Sequence, residues 1–157
     1  MFLDSQLQFS DDQAVTTSAV GTNVIDLSVA RAMGNGEPLA VVFTVSVAAD
    51  QTSGDEDYTF DLEYATNAAQ STGRQIVGRR IFESGTPTAP AQDADLLVAG
   101  FSFVLPLPPT TTDEDAQFLG IRYVTAGTSP SITISAHLQP QSMIDQSALY
   151  ASGYSIT

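Results

Sequence analysis

The stretch from Leu39 to Val47, Leu-Ala-Val-Val-Phe-Thr-Val-Ser-Val, contains no charge, Gly or Pro and is the longest β-type run in the chain. Successive side chains of a strand point to opposite faces. Leu39, Val41, Phe43, Val45 and Val47 therefore share a strongly apolar face, and Ala40, Val42, Thr44 and Ser46 share a milder one. A helix would scatter both sets. Pro38 precedes the run, where a missing N–H disturbs a ladder least, and the polar Asp50 to Asp57 follows as a turn. The next run, Tyr58 to Tyr64, sets Tyr58, Phe60, Leu62 and Tyr64 against Thr59, Asp61 and Glu63. Together the two runs predict an antiparallel hairpin at the nucleus of a sheet, with Leu39 to Val47 as a central strand.

The same alternation recurs along the chain. Ile25, Leu27 and Val29 oppose Val24, Asp26 and Ser28. Gln75 to Glu83 reads as a strand with a bulge at Gly78, which sends Arg79 and Arg80 to opposite faces and one of them to a carboxylate. Ala99 to Leu107 places Ala99, Phe101, Phe103, Leu105 and Leu107 on one side. Ala116 to Thr125 turns Leu119, Ile121 and Tyr123 inward with Gly120 and Arg122 outward, and Ser131 to Leu138 turns Ile132, Ile134, Ala136 and Leu138 inward. Ser84 to Asp95, with Gly85, Pro87 and Pro90, is a long loop of the kind that often contacts partners. About seven or eight strands at sandwich-like spacing, without sustained helical periodicity, predict an all-β fold of two packed antiparallel sheets. One wet face per strand argues against a parallel sheet. Greek-key and jelly-roll connections fit the pattern equally.

A chain of 157 residues supports one domain, burying roughly 70% of its unfolded surface. The reading is a single domain over 1–157, with an extended N-terminal arm at 1–22, a sandwich at 23–138 and a C-terminal tail at 139–157. With no Cys, stability must come from packing. Met-Phe-Leu-Asp does not read as a secretory signal, and no apolar run approaches the ~20 residues of a membrane helix. Eighteen acidic residues against five Arg and no Lys give a net charge of −13, which disfavours nucleic-acid backbones. The expectation is no nucleic-acid partner and no membrane partner.

Catalytic chemistry finds little support. The single His, His137, shares a strand face with Thr133 and Ser135 and reads as a surface or interface residue. No nucleophile elbow or phosphate-cradling glycine loop is present. Asp61 and Glu63 share a strand face as a carboxylate pair would, but on an outer face they fit solvated or cross-strand ion-pair roles better. Asp55-Glu56-Asp57 and Asp113-Glu114-Asp115 each precede a strand. Their spacing matches no calcium loop, so they read as charge that discourages edge-to-edge association. The expectation is no enzyme, no cofactor and no metal.

Several stretches carry a family likeness. Met-Phe-Leu-Asp at the start, Phe9-Ser10, Gln13-Ala14-Val15 and Asn23-Val24-Ile25-Asp26-Leu27 are followed by Gly36-Glu37-Pro38-Leu39 and Leu105-Pro106-Leu107-Pro108-Pro109. Leu119 to Val124 with Gly127, and Tyr150-Ala151-Ser152-Gly153-Tyr154, complete the set. Across nearly its whole length the chain resembles the small capsid cement, or decoration, proteins of certain short-tailed bacteriophages. The resemblance implies a jelly-roll β-sandwich that forms homotrimers on the outer capsid surface of the virion and clamps neighbouring subunits of the major capsid protein. It brings no catalytic residues. On that reading Met1 to Ser10 and Met143 to Thr157 fasten the trimer or reach the shell, with Phe2, Leu3, Phe9, Tyr150 and Tyr154 as aromatic and apolar anchors. The competing expectation is a carbohydrate-binding β-sandwich stacking sugars on Tyr58, Tyr64 and Tyr123, although these alternate with core-facing residues.

Overall fold

The structure, a computed structural model, describes residues 5–27, 37–108 and 116–144. Its ten strands are β1 Gln8–Val15, β2 Ala19–Val20, β3 Ile25–Asp26, β4 Leu39–Val47, β5 Asp57–Ala65, β6 Gln75–Glu83, β7 Gln92–Asp93, β8 Ser102–Pro106, β9 Phe118–Ala126 and β10 Ile132–Pro140. One sheet, A, has the order β1-β10-β4-β8. The other, B, runs β2-β9-β5-β6-β7, with β3 continuing the edge alongside β9. If β2 and β3 count as one interrupted edge and the two-residue β7 is set aside, the main strands read 1-8-3-6 in one sheet and 2-7-4-5 in the other. That order is the jelly roll, an all-β antiparallel sandwich in which most connections cross from sheet to sheet.

The predicted alternation builds the core. Val41, Phe43 and Val45 of β4 and Ile132, Ile134, Ala136 and Leu138 of β10 face Tyr58, Phe60, Leu62 and Tyr64 of β5 and Leu119, Ile121 and Tyr123 of β9. Phe60 is at the centre. Its ring meets Phe43 at 5.7 Å, Phe82 at 5.8 Å, Phe103 at 5.0 Å and Tyr123 at 5.9 Å, each edge-to-face, the arrangement favoured by ring quadrupoles.

Two expectations are corrected. β4 and β5 do not form a hairpin: β4 pairs with β10 and β8, and β5 pairs with β6 and β9. The apolar faces of β4 and β5 stack across the sandwich, and the segment between them changes sheets. Nor is the described part of 1–22 an arm, because Gln8–Val15 is an edge strand of sheet A and Ala19–Val20 pairs with β9 in sheet B. Phe9, expected as an interface anchor, is wholly buried in the core together with Val15. Register shifts between Gln8 and Ser10 and between Ser10 and Gln13, with Asp12 at φ 44°, break the period-two pattern that would have revealed the strand.

Candidate interaction surfaces

The outer face of sheet B holds a buried ion-pair network. Asp61 and Glu63 were expected on an exposed face in solvated or cross-strand ion-pair roles; the cross-strand pairing is there, but the face is covered and they are 1% and 0% exposed. Arg79 grips Asp61 with two bonds, Nε to Oδ1 at 2.6 Å and Nη2 to Oδ2 at 2.8 Å. Glu63 accepts Nε and Nη2 of Arg74 on Oε2 (3.0 and 2.7 Å) and Nε of Arg122 on Oε1 (3.1 Å). The predicted partnering of one of Arg79 and Arg80 with a carboxylate thus falls to Arg79. The bond to Asp61 raises the pKa of Arg79 above its already high ordinary value. The loop between β5 and β6 closes over this face: the buried Gln70 backbone carbonyl accepts from Arg122, and its amide lies on Gly120. A Cβ at residue 120 would come within 2.8 Å of Gln70 Cδ, so glycine is what lets the loop seat. Gln70 and Arg74 gave no signal in the sequence, because their partners lie on strands 50 residues away or across a loop.

The acidic turn Asp55-Glu56-Asp57 divides into three roles. Asp55 accepts from Thr128 N (3.0 Å) and Oγ1 (2.9 Å), which holds its carboxyl below the usual range. Asp55 and Glu56 also pack against Gly127, where φ is +93° and a Cβ would collide with the Asp55 carbonyl. Glu56 is buried and accepts from Ser53 N and Asp55 N. Burial pushes its pKa up, but these donors outweigh it and the net shift is downward. Asp57 is raised by burial and then by Glu83, its direct cross-strand partner, and Asp55. Among the described residues no group of three or more His, Cys, Asp or Glu is arranged to hold a metal ion. Asp113-Glu114-Asp115 lies outside the described residues.

A stability prediction follows from Asp57. A carboxyl with a raised pKa binds its proton more tightly when folded, so it weakens the fold at neutral pH and ceases to do so as pH falls through its folded pKa. Asp57→Asn is expected to stabilise the protein at pH 7 by a few tenths of a kcal/mol, within the ~0.2–1 range for cross-strand charge pairs and reduced by solvent screening. The gain should shrink towards pH 4. Asp12 and Asp55 have lowered values, Asp12 through Ser46 and Ser135 and Asp55 through Thr128. Their contribution is present above the ordinary Asp value of about 4 and is lost below it. Thermal melts of both proteins from pH 7 to 3 check this, and a destabilised variant at pH 7 would contradict it.

The three tyrosines proposed to stack sugars are in the core: Tyr58 is 1%, Tyr64 0% and Tyr123 1% exposed. Tyr58 donates to the Asp50 and Ser131 carbonyls, and Tyr123 donates to Ser10 Oγ at 2.8 Å, tying β9 to β1. His137 lies on the outer face of sheet A opposite Val42, half-buried. Burial lowers its pKa, against an opposing Gln139 hydrogen bond.

Strand directions place Leu27, Glu37, Leu107 and Ala116 at one end of the sandwich, together with the start of β1 and the end of β10. Ser5 and Ile144, the described residues nearest the two termini, lie at this end as well. Phe2, Leu3, Tyr150 and Tyr154 lie outside the described residues. An open groove of ≈ 610 Å³, lined by Gln6, Leu7 and Asn23 to Asp26, sits there too. Three of the edges are blunted, β1 by its bulges and acidic residues, the edge of sheet B beyond β9 by its division into β2 and β3, and β8 by Pro106, while β6 is covered only at Phe82 and Glu83 by the short β7. No helix among the described residues is long and apolar enough to cross a membrane.

Strand order and core define the protein as a jelly-roll sandwich. It belongs to the Bbp16 family, whose model matches residues 9–138, from the first core residue of β1 to the last inward residue of β10. No curated protein matches the chain. Phe9 falls within the matched span, and Phe2, Leu3, Tyr150 and Tyr154 fall outside it.

Proposed function

We propose that this Bbp16-family protein is a structural virion protein, a capsid cement that trimerises on the outer surface of a phage shell and clamps neighbouring major capsid subunits. The observation that carries the reading is that Ser5 and Ile144, the described residues nearest the two termini, lie at one end of a jelly roll with three blunted edges. Such a body resists random edge pairing while offering one end for attachment. The sequence resemblance to cement proteins points the same way, and the −13 charge suits an outer face better than contact with packaged DNA. Cementing requires only modest individual contacts, because a trimer on a lattice makes later contacts intramolecular and gains ~10² to 10⁴ in avidity.

The first test is quantitative mass spectrometry of purified virus particles from the source. A simple lattice ratio to the major capsid protein is expected; a trace amount overturns the reading. The anchors are tested by Phe2→Ala with Leu3→Ala, and separately by Tyr150→Ala with Tyr154→Ala. Each pair is expected to lower retention on particles about tenfold or more while leaving the melting temperature unchanged. Deleting Met1 to Ser10 is not a usable test, because it removes Phe9 from the core and part of β1.

A further inference from the structure

All four arginines among the described residues lie on sheet B or on the loop that covers it, and three of them pair with Asp61 and Glu63. Arg80 is the exception. Its Nε donates to Gln92 Oε1 at 2.8 Å, and its guanidinium carbon stands 5.9 Å from the centroid of the Phe82 ring. These contacts fix the guanidinium and, among the described residues, use one of its five N–H donors. It lines an open notch of ≈ 290 Å³ with Arg79, Ile81, Pro90 and Gln92. The notch opens where β6 becomes an edge, since β7 pairs only with Phe82 and Glu83. A half-buried, pre-oriented arginine with unused donors at an open sheet edge has the form of a recognition anchor for a carboxylate.

We propose that the Arg80 notch is a contact between copies of this chain and receives a carboxylate from an acidic segment of its neighbour. The inference rests on the reading that the chain trimerises. Charge selects the occupant: the chain carries eighteen acidic residues against five Arg, so another copy offers carboxylates in excess and few cations to oppose the anchor. Geometry agrees. A cyclic trimer needs a heterologous interface, one patch meeting a different patch of the next copy, and an arginine notch on one side with acidic surface elsewhere provides such a pair. Long-range repulsion between chains of charge −13 reaches ~30 Å at 0.01 M salt but only ~8 Å at 0.15 M. Association is therefore strongest at intermediate salt, weakened by repulsion below it and by screening of the contact above it.

The test is sedimentation velocity on the full chain across a concentration and salt series, comparing wild type with Arg80→Glu and Arg80→Lys, alongside thermal melts. The expected result is a wild-type trimer strongest at intermediate salt. Arg80→Lys should weaken it about tenfold through loss of the planar fork, and Arg80→Glu at least as much again, with little change in melting temperature. A wild-type monomer throughout, or an Arg80→Glu trimer of unchanged affinity, overturns the inference. Particle occupancy is measured separately. A cement that trimerises without Arg80 removes only the notch, whereas an Arg80-dependent trimer absent from particles removes only the cement reading.

Discussion

Phe60→Ala is expected to lower the unfolding free energy by about 3–5 kcal/mol, the range for truncating a buried aromatic. For a domain of this size that corresponds to a fall in melting temperature of roughly 10 °C. Phe60 touches four other rings, two from β4 and β8 of the opposite sheet and two from its own neighbours β6 and β9. Removing it forfeits edge-to-face contacts as well as buried area, and leaves a void between sheets that cannot collapse without moving both. Val47→Ala is the control, because Val47 is 58% exposed and the change should stay within ~0.5 kcal/mol. Urea unfolding of both variants decides the matter, and a loss below 1 kcal/mol for Phe60→Ala would mean that the aromatic cluster does not couple the sheets.

The second large effect is expected at Glu63. Its carboxylate is wholly buried and answers two arginines at once, so Glu63→Gln leaves Arg74 and Arg122 to share one neutral acceptor at position 63, with the Gln70 carbonyl still open to Arg122. Breaking a buried pair by removing one partner costs about 3–5 kcal/mol. The lower end applies here, since the Arg74 side chain is 36% exposed and can turn to water, whereas Arg122 at 21% is more confined. Asp61→Asn is expected to cost less, because the Arg79 side chain is 48% exposed and rehydrates readily. The order Glu63→Gln worse than Asp61→Asn, read from denaturant midpoints, is the discriminating result. Equal small losses would mean that this face behaves as an ordinary solvated salt-bridge surface. Loss of the Glu63 contacts should also unseat the loop carrying Gln70, which hydrogen exchange of the residues after Ala65 would register as faster opening.

Both predictions concern residues that the sequence placed on the correct face of the correct strand. For Phe60 that was sufficient, because inward on a strand means buried whichever strand lies opposite. For Asp61 and Glu63 it was not, since outward means exposed only when nothing covers the sheet. Three arginines and the loop from Thr66 to Arg74 do cover it, and that covering is a tertiary fact. The tyrosines behaved like Phe60: their alternation with Phe60, Leu62, Leu119 and Ile121 already set them inward, and the structure places all three in the core. Phe9 shows the opposite failure. Its strand is bulged twice, the alternation is lost, and an edge strand passed for an arm.

By itself, then, the sequence determined most of the strands and inward residues, the all-β class and the strong acidity, because period-two alternation and charge are properties each segment carries locally. The tertiary structure alone decided that β4 and β5 face one another across two sheets, that the order is a jelly roll, and that Asp61 and Glu63 are buried. The physical reason is that a turn between two amphipathic strands reads the same whether it reverses within a sheet or crosses to the next. The choice is made by which apolar faces close on one another, and here the packing of Phe43 against Phe60 was reached by crossing.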